Sequence, residues 1–248
     1  MKVKKILVSQ PQPAELQKSP YTKIAAKYGV DVVFRPFVKV VSVSTREFRD
    51  QKINLAEYGV ILFTARTAID HFFSMCKEIR YEVPETQKYL CTTEQIALYL
   101  QKYIQYRKRK INFTNTGKIE DLKEFFTKYQ REKFLLPVSD VHKDNEQVLD
   151  KMKLNYRKAV MFRTVSNDFE PDEAFDYDML LFFSPSGVKS LMKNFPDFKQ
   201  GDIAIGGLGA ATAQEITAQG LHLDISAPSA ECRSMDAAVD KYLREHNG

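Results

Sequence analysis

The chain has 248 residues, 44% of them hydrophobic and 28% charged, with 17 Phe, 12 Tyr and no Trp. That length suits one large domain or two of ordinary size, and the composition excludes a disordered, collagenous or disulfide-rich class. A net charge of +5 (Lys+Arg 37, Asp+Glu 32) favours anionic partners without making the chain a strongly basic nucleic-acid binder.

The N-terminal MKVKKILVSQPQP has too short an apolar run for a signal peptide, and no stretch approaches the ~18 apolar residues of a membrane helix, so a cytoplasmic protein is expected. KKILVS reads as a strand and SPYTKIAAKYG as a capped helix ending at Gly29. VDVVFRPFVKVVSVS, Val30 to Ser44, stays extended too long for one core strand and carries a Pro, so it reads as two strands in series.

Helix and strand patterns then alternate: helix TREFRDQKINLAEY, strand YGVILFTA, helix RTAIDHFFSMCKEI, strand QKYLCTT, helix EQIALYLQKYIQY, strand KINFTN, helix KIEDLKEFFTKYQ, strand KFLLPV and helix DNEQVLDKMKLNY. A second long extended segment, Tyr156 to Asp168, precedes strand 179–183, helix 187–194, strand 202–207, helix 210–219, strand 221–226 and a helix near 234–245. Such alternation predicts an α/β protein with mainly parallel sheets flanked by helices. The two extended segments bracket the middle, so the simplest topology inserts one α/β lobe into another. Residues 1–38 and 164–248 would form a discontinuous outer lobe and residues 46–156 the inserted lobe, with 39–45 and 157–163 as a two-stranded connector. An internal echo, GVILFTARTAIDHFFSM against MLLFFSPSGVKSLMKNF, is consistent with that scheme.

Cys76, Cys91 and Cys232 are odd in number and lack metal-like spacing, and they read as buried packing residues of a reducing compartment. His71, His142, His222 and His246 are scattered, so no metal site is expected. The basic run YRKRK, Tyr106 to Lys110, reads as a solvated helix end. Lone acids such as Asp70, Glu94 and Asp140 read as caps or solvated groups.

Ligands of open α/β sheets sit beyond the carboxyl ends of the strands, where helix N-termini aim their amides. Here that edge is built of Ser9 and Gln10, Thr64 to Thr67, Thr92 and Thr93, Thr114 to Gly117, Ser139 and Asp140, Ser184 to Gly187, and Gly207 to Thr212. Hydroxyls, glycines and amides dominate, which suits anions. In SPSG, Ser184 or Ser186 can cap the helix, Pro185 suits its first turn, and Gly187 lets backbone approach a ligand. GGLGAATA lacks GxxxxGK[ST] and the full GxGxxG, and FFSPSG is not the GxSxG elbow, which argues against a nucleotide site or a serine hydrolase.

LLFFSPSGVKSL, GLGAATAQEITAQGL, VILFTARTAIDHFF and AVMFRTV together resemble the uroporphyrinogen-III synthase family over essentially the whole length. The resemblance implies two α/β lobes joined by a two-stranded ladder and a cleft that takes hydroxymethylbilane, a linear tetrapyrrole polycarboxylate. It is cyclised with loss of water and inversion of ring D, in tetrapyrrole (haem) biosynthesis, with no cofactor. A monomer is the default expectation, acting on a small molecule, with no nucleic acid or membrane partner. On this reading Ser184, Ser186, Gly187 and Thr212 place substrate carboxylates, with Thr212 the candidate catalytic group. Thr64, Arg66, Thr92, Thr93, Asn115 and Ser139 line the opposite wall. The family's connector Tyr is Phe162 here, its middle-lobe Ser and Asn are Ala65 and Thr67, and Gln10 replaces a first-turn Arg. Arg66, Arg163 and Thr164 are the nearby groups able to compensate. The alternative is a non-catalytic tetrapyrrole- or polyanion-binding protein on the same scaffold.

Overall fold

A computed structural model describes residues 2–140, 146–170 and 172–247, without the side chains of Glu146 and Gln147. His142 and the expected helix start at Asp144 lie outside the described residues. The chain divides into two compact units, Met1–Lys39 with Val165–Gly248, and Val40–Thr164.

In chain order the first unit opens with β1 (Lys5–Val8), α1 (Pro20–Tyr28) and β2 (Asp31–Phe34). Helix α1 ends where Gly29 takes the left-handed conformation (φ 62°), which glycine adopts without a Cβ penalty. Strand β3 (Val38–Ser42) carries the chain into the second unit, which continues with α2 (Thr45–Asp50), β4 (Val60–Phe63), α3 (Arg66–Glu78), β5 (Lys88–Cys91), α4 (Glu94–Tyr99), β6 (Ile111–Phe113), α5 (Lys123–Lys128), β7 (Phe134–Ser139) and α6 (Glu146–Lys151). Strand β8 (Tyr156–Ser166) leads back. The first unit is completed by β9 (Met179–Phe182), α7 (Pro185–Asn194), β10 (Ala204–Leu208), α8 (Ala210–Ala218), β11 (Ile225–Ala227) and α9 (Met235–His246).

The first unit's sheet has the order β11-β10-β9-β1-β2, with every neighbouring pair parallel. The second unit's sheet has the order β3-β8-β7-β4-β5-β6, parallel from β8 through β6. The segments read from the sequence as a connector fall on β3, at one edge of this sheet, and on β8, between β3 and β7. The central strands β1, β9, β4, β5 and β7 are buried on both faces, which is why they read as continuous apolar runs. Successive side chains of β4 alternate between two cores: Val60 and Leu62 join Leu90, Phe126 and Leu136, while Ile61 and Phe63 join Ile69, Phe72 and Tyr89. Strand β9 does the same, with Met179 and Leu181 on one face and Leu180 and Phe182 on the other. All three cysteines are buried, and burial pushes the Cys76 and Cys91 thiols up to about 12, too high for a reactive thiolate.

Several sequence-based boundaries need correction. Helix α2 ends at Asp50, and residues 55–57 form a separate 3-10 turn capped by Asn54. Strand β11 starts at Ile225, because the Gln200 side-chain amide already engages the backbone at His222, its nitrogen donating to the carbonyl and its oxygen accepting from the N–H. The basic run Tyr106–Lys110 lies beyond the helical segment, which ends at Lys102, in a turn closed by a bond from the Lys110 amide to the Arg107 carbonyl at 2.9 Å. Among the described residues no helix is long and apolar enough to cross a membrane.

Candidate active site

Parallel pairing sends all strand C-termini of a sheet to one edge, and the candidate residues follow that edge in each unit. In the first unit β1, β9 and β10 are consecutive neighbours, so the turns after them lie side by side. Ser184 is the N-cap of α7, its hydroxyl accepting from the Gly187 amide at 3.3 Å, with Pro185 in the first turn. That settles which serine caps; Ser186 is exposed on the same turn. A Cβ added to Gly187 would sit 3.4 Å from the Phe182 ring and 3.8 Å from the hydroxyls of both Ser184 and Ser9. Ser9, nearly buried and 175 positions earlier in the chain, thus joins the Ser184–Gly187 turn.

The neighbouring turn starts α8. Gly209 is its N-cap at φ 83°, a conformation that side chains rarely adopt, and its amide donates to the Ala227 carbonyl at 2.6 Å. No side chain caps α8, so the first amides of the helix keep their donor capacity. Thr212, in this first turn, is only 2% exposed, and no hydrogen bond engages its hydroxyl among the described residues.

In the second unit the sheet order places Ser139, Thr64, Thr92 and Thr114 along the edge in that sequence. Thr93 caps α4 by accepting from the Ile96 amide at 3.3 Å. The carbonyl of buried Thr92 accepts from the Thr114 hydroxyl at 3.0 Å and the Gly117 amide at 3.1 Å, tying down the loop on which Asn115 is exposed. Thr64 is half-buried at the end of β4. Helix α3 then starts from Ala65, which offers no cap, with exposed Arg66 in its first turn. Arg66 reaches Gln95 Oε1 at 3.4 Å and lies over the Tyr99 ring at 5.5 Å. An uncapped helix start beside a guanidinium is a favourable place for an anion.

Two groups proposed as compensating are engaged otherwise or exposed. Arg163 donates to Glu47 at 2.6 Å, and Glu47 in turn accepts from the Ser44 amide and hydroxyl, each at 2.8 Å. These contacts pull the Glu47 carboxyl down to about 2, the Ser44 backbone bond contributing most. Thr164 is exposed on β8. Asp70 is not a helix cap: Tyr99, Lys102 and Tyr103 all donate to it, and although burial raises its pKa, these bonds hold it below the usual carboxylate value.

Phe162 lies opposite Ser139, the last residue of β7, and its ring stacks on His71 with centroids 4.9 Å apart and planes at 18°. His71 Nδ1 is 2.7 Å from Ser42 Oγ. Metal-like spacing, the pattern that would have singled out a histidine in the sequence, is absent around His71. The available signal was the place of His71 five residues into the helix that leaves the strand edge.

No curated protein sequence matches this chain. Two solved structures share its fold. The uroporphyrinogen-III synthetase from Helicobacter pylori is 14% identical, with 98% of this chain and 99% of that one covered and a TM-score of 0.59. A mutant uroporphyrinogen III synthase from the extremely thermophilic bacterium Thermus thermophilus is also 14% identical, with 97% and 98% covered and a TM-score of 0.50. A family profile described as HEM4, uroporphyrinogen-III synthase HemD, matches residues 19–236. With that match over most of its length, the chain belongs to the uroporphyrinogen-III synthase family, the cyclising lyases of tetrapyrrole biosynthesis.

Proposed function

We propose that this chain converts hydroxymethylbilane to uroporphyrinogen III, with loss of water and inversion of ring D, as a cytoplasmic monomer that needs no metal or organic cofactor. The observation that carries the reading is the first unit's strand edge. There Ser9, the Ser184–Gly187 turn and the uncapped start of α8 with the unpartnered Thr212 hydroxyl stand on three adjacent strands. A substrate with acetate and propionate on every ring supplies the carboxylates such turns accept. Ser184, Ser186, Gly187 and Thr212 hold one part of that set. In the second unit we assign Thr64, Arg66, Thr92, Thr93, Asn115 and Ser139 to carboxylate binding as well. Catalysis is then largely orientation: the bound polyanion is folded so that ring D closes through its inverted carbon rather than directly.

The test supplies purified protein with hydroxymethylbilane generated in place and resolves the product isomers. Type III product is expected. Type I alone, the product of spontaneous closure, would reject catalysis and favour the polyanion-binding alternative, which the loss of a helix cap at Ala65 and of a connector phenol at Phe162 keeps in view. Thr212→Val keeps volume and removes the hydroxyl; a fall of about tenfold in type III rate is expected, one lost hydrogen bond's worth. An unchanged rate removes Thr212 from the site.

A further inference from the structure

Loss of water from the substrate requires a proton carrier as well as carboxylate anchors. The pyrrole nitrogen beside the hydroxymethyl carbon must release its proton, and the departing oxygen must gain one. Hydroxyls and peptide amides do not exchange protons readily near neutral pH, whereas imidazole does. Among the described residues of the second unit, His71 is the one imidazole.

Its setting is that of a held ring. Phe162 stacks on one face, at the end of the sheet where β7 stops, and Ser42 from β3 fixes Nδ1. With the Nδ1 proton donated to Ser42 Oγ, the free lone pair is on Nε2. Burial pushes the imidazole pKa below its ordinary value of 6.5, and the Asp70 carboxylate on the same helix draws it up by less. From β3 the ring meets the uncharged Ser42 hydroxyl and from β8 the uncharged Phe162 ring. His71 is therefore neutral at pH 7, the form that accepts a proton.

We propose that His71 is the proton carrier of the dehydration, a role that rests on the synthase reading above. Nε2 accepts the pyrrole N–H proton. The electron pair of that bond becomes the C=N bond of the azafulvene as the C–O bond to the hydroxymethyl oxygen breaks. The pair of the C–O bond leaves with oxygen, which takes the proton back from Nε2 and departs as water. The imidazole ends neutral, as it began, and no other reactant is consumed.

The test follows type III formation across pH for the wild type, His71→Gln and Ser42→Ala, with uroporphyrin binding and thermal unfolding measured alongside. His71→Gln is expected to lose about 100-fold in kcat while keeping uroporphyrin affinity and melting temperature. The wild-type rate should fall as pH drops through a value below 6.5, and His71→Gln should lack that limb. Ser42→Ala, which frees the ring but keeps the imidazole, should lose less. A His71→Gln rate within about twofold of wild type overturns the assignment. So does a wild-type rate that stays flat from about pH 8 to about pH 5, whether or not the variant folds. Wild type that makes only type I product brings down the synthase reading and this role together. Type III product made equally well without His71 brings down the role alone.

Discussion

The strand-to-helix turns after β9 and β4 have the same backbone and different chemistry. The residue before α7 is Ser184 at φ −158°, ψ 153°, and the one before α3 is Ala65 at φ −151°, ψ 152°. Each is separated by one residue from four buried strand residues, MLLF and VILF, and both open amphipathic helices. Yet Ser184 caps its helix and is followed by Pro185, whereas Ala65 cannot cap and is followed by Arg66. The comparison separates two layers of information. Buried strands on both sheet faces dictate the backbone path, and the side chain at the turn is free to exchange a hydroxyl for a nearby positive charge, so long as the turn still suits an anion.

The largest expected effect tests the shared layer. Phe63→Ala and Phe182→Ala remove rings that are fully buried at matching places in the two units, and each should cost about 3–5 kcal/mol in chemical denaturation. A large disparity between them would break the equivalence. The turn chemistry comes next. Ser184→Ala should cost about 1 kcal/mol by removing the cap of α7, read from the denaturation midpoint. The reciprocal Ala65→Ser should stabilise by a smaller amount, about 0.5 kcal/mol, because the backbone already has a cap's geometry. If the bare start of α3 serves the substrate, Ala65→Ser should also raise KM, since its hydroxyl would compete for the same amides. Stabilisation with an unchanged KM would leave that helix start outside the site.

The smallest effect concerns the exposed Glu47, which links Ser44 and Arg163. Its folded pKa lies at about 2 against an ordinary 4.5, so the carboxylate's contribution is present above the unfolded value and is lost as pH falls through the folded one. Glu47→Gln should therefore be slightly less stable than wild type at pH 7, and the two should converge as pH falls from about 4.5 towards 2. A gap that persists at low pH would show that the carboxylate charge is not the cause.

How much of this was readable beforehand varies by residue. The α7 start was legible because Ser-Pro-Ser-Gly after four apolar residues is a local signal, complete within one turn. The two-strand reading of Val30 to Ser44 succeeded for the same reason, a Pro inside a long extended run. The basic run was misplaced because Leu100–Lys102 tightens into a 3-10 turn that ends the helix early, an outcome of packing that periodicity does not encode. Ser9 was seen as an edge residue but not as a partner of Ser184 and Gly187, and the link between Ser42, His71 and Phe162 was not seen at all.

By itself the sequence determined the alternation of strands and helices, the buried character of both sheets and the turn motifs that carry the family likeness, because each depends on residues within one element or one turn. Tertiary structure alone decided that β1 and β10 flank β9, so that Ser9 and the Thr212 turn stand beside Ser184, and that β3 and β8 bring Ser42 and Phe162 onto His71. Ser42 and His71 are 29 positions apart in the chain, and Ser9 and Ser184 are 175 apart. Those meetings depend on the order in which parallel strands pair, and hydrophobic periodicity, which marks which face of a strand is buried, says nothing about its neighbours.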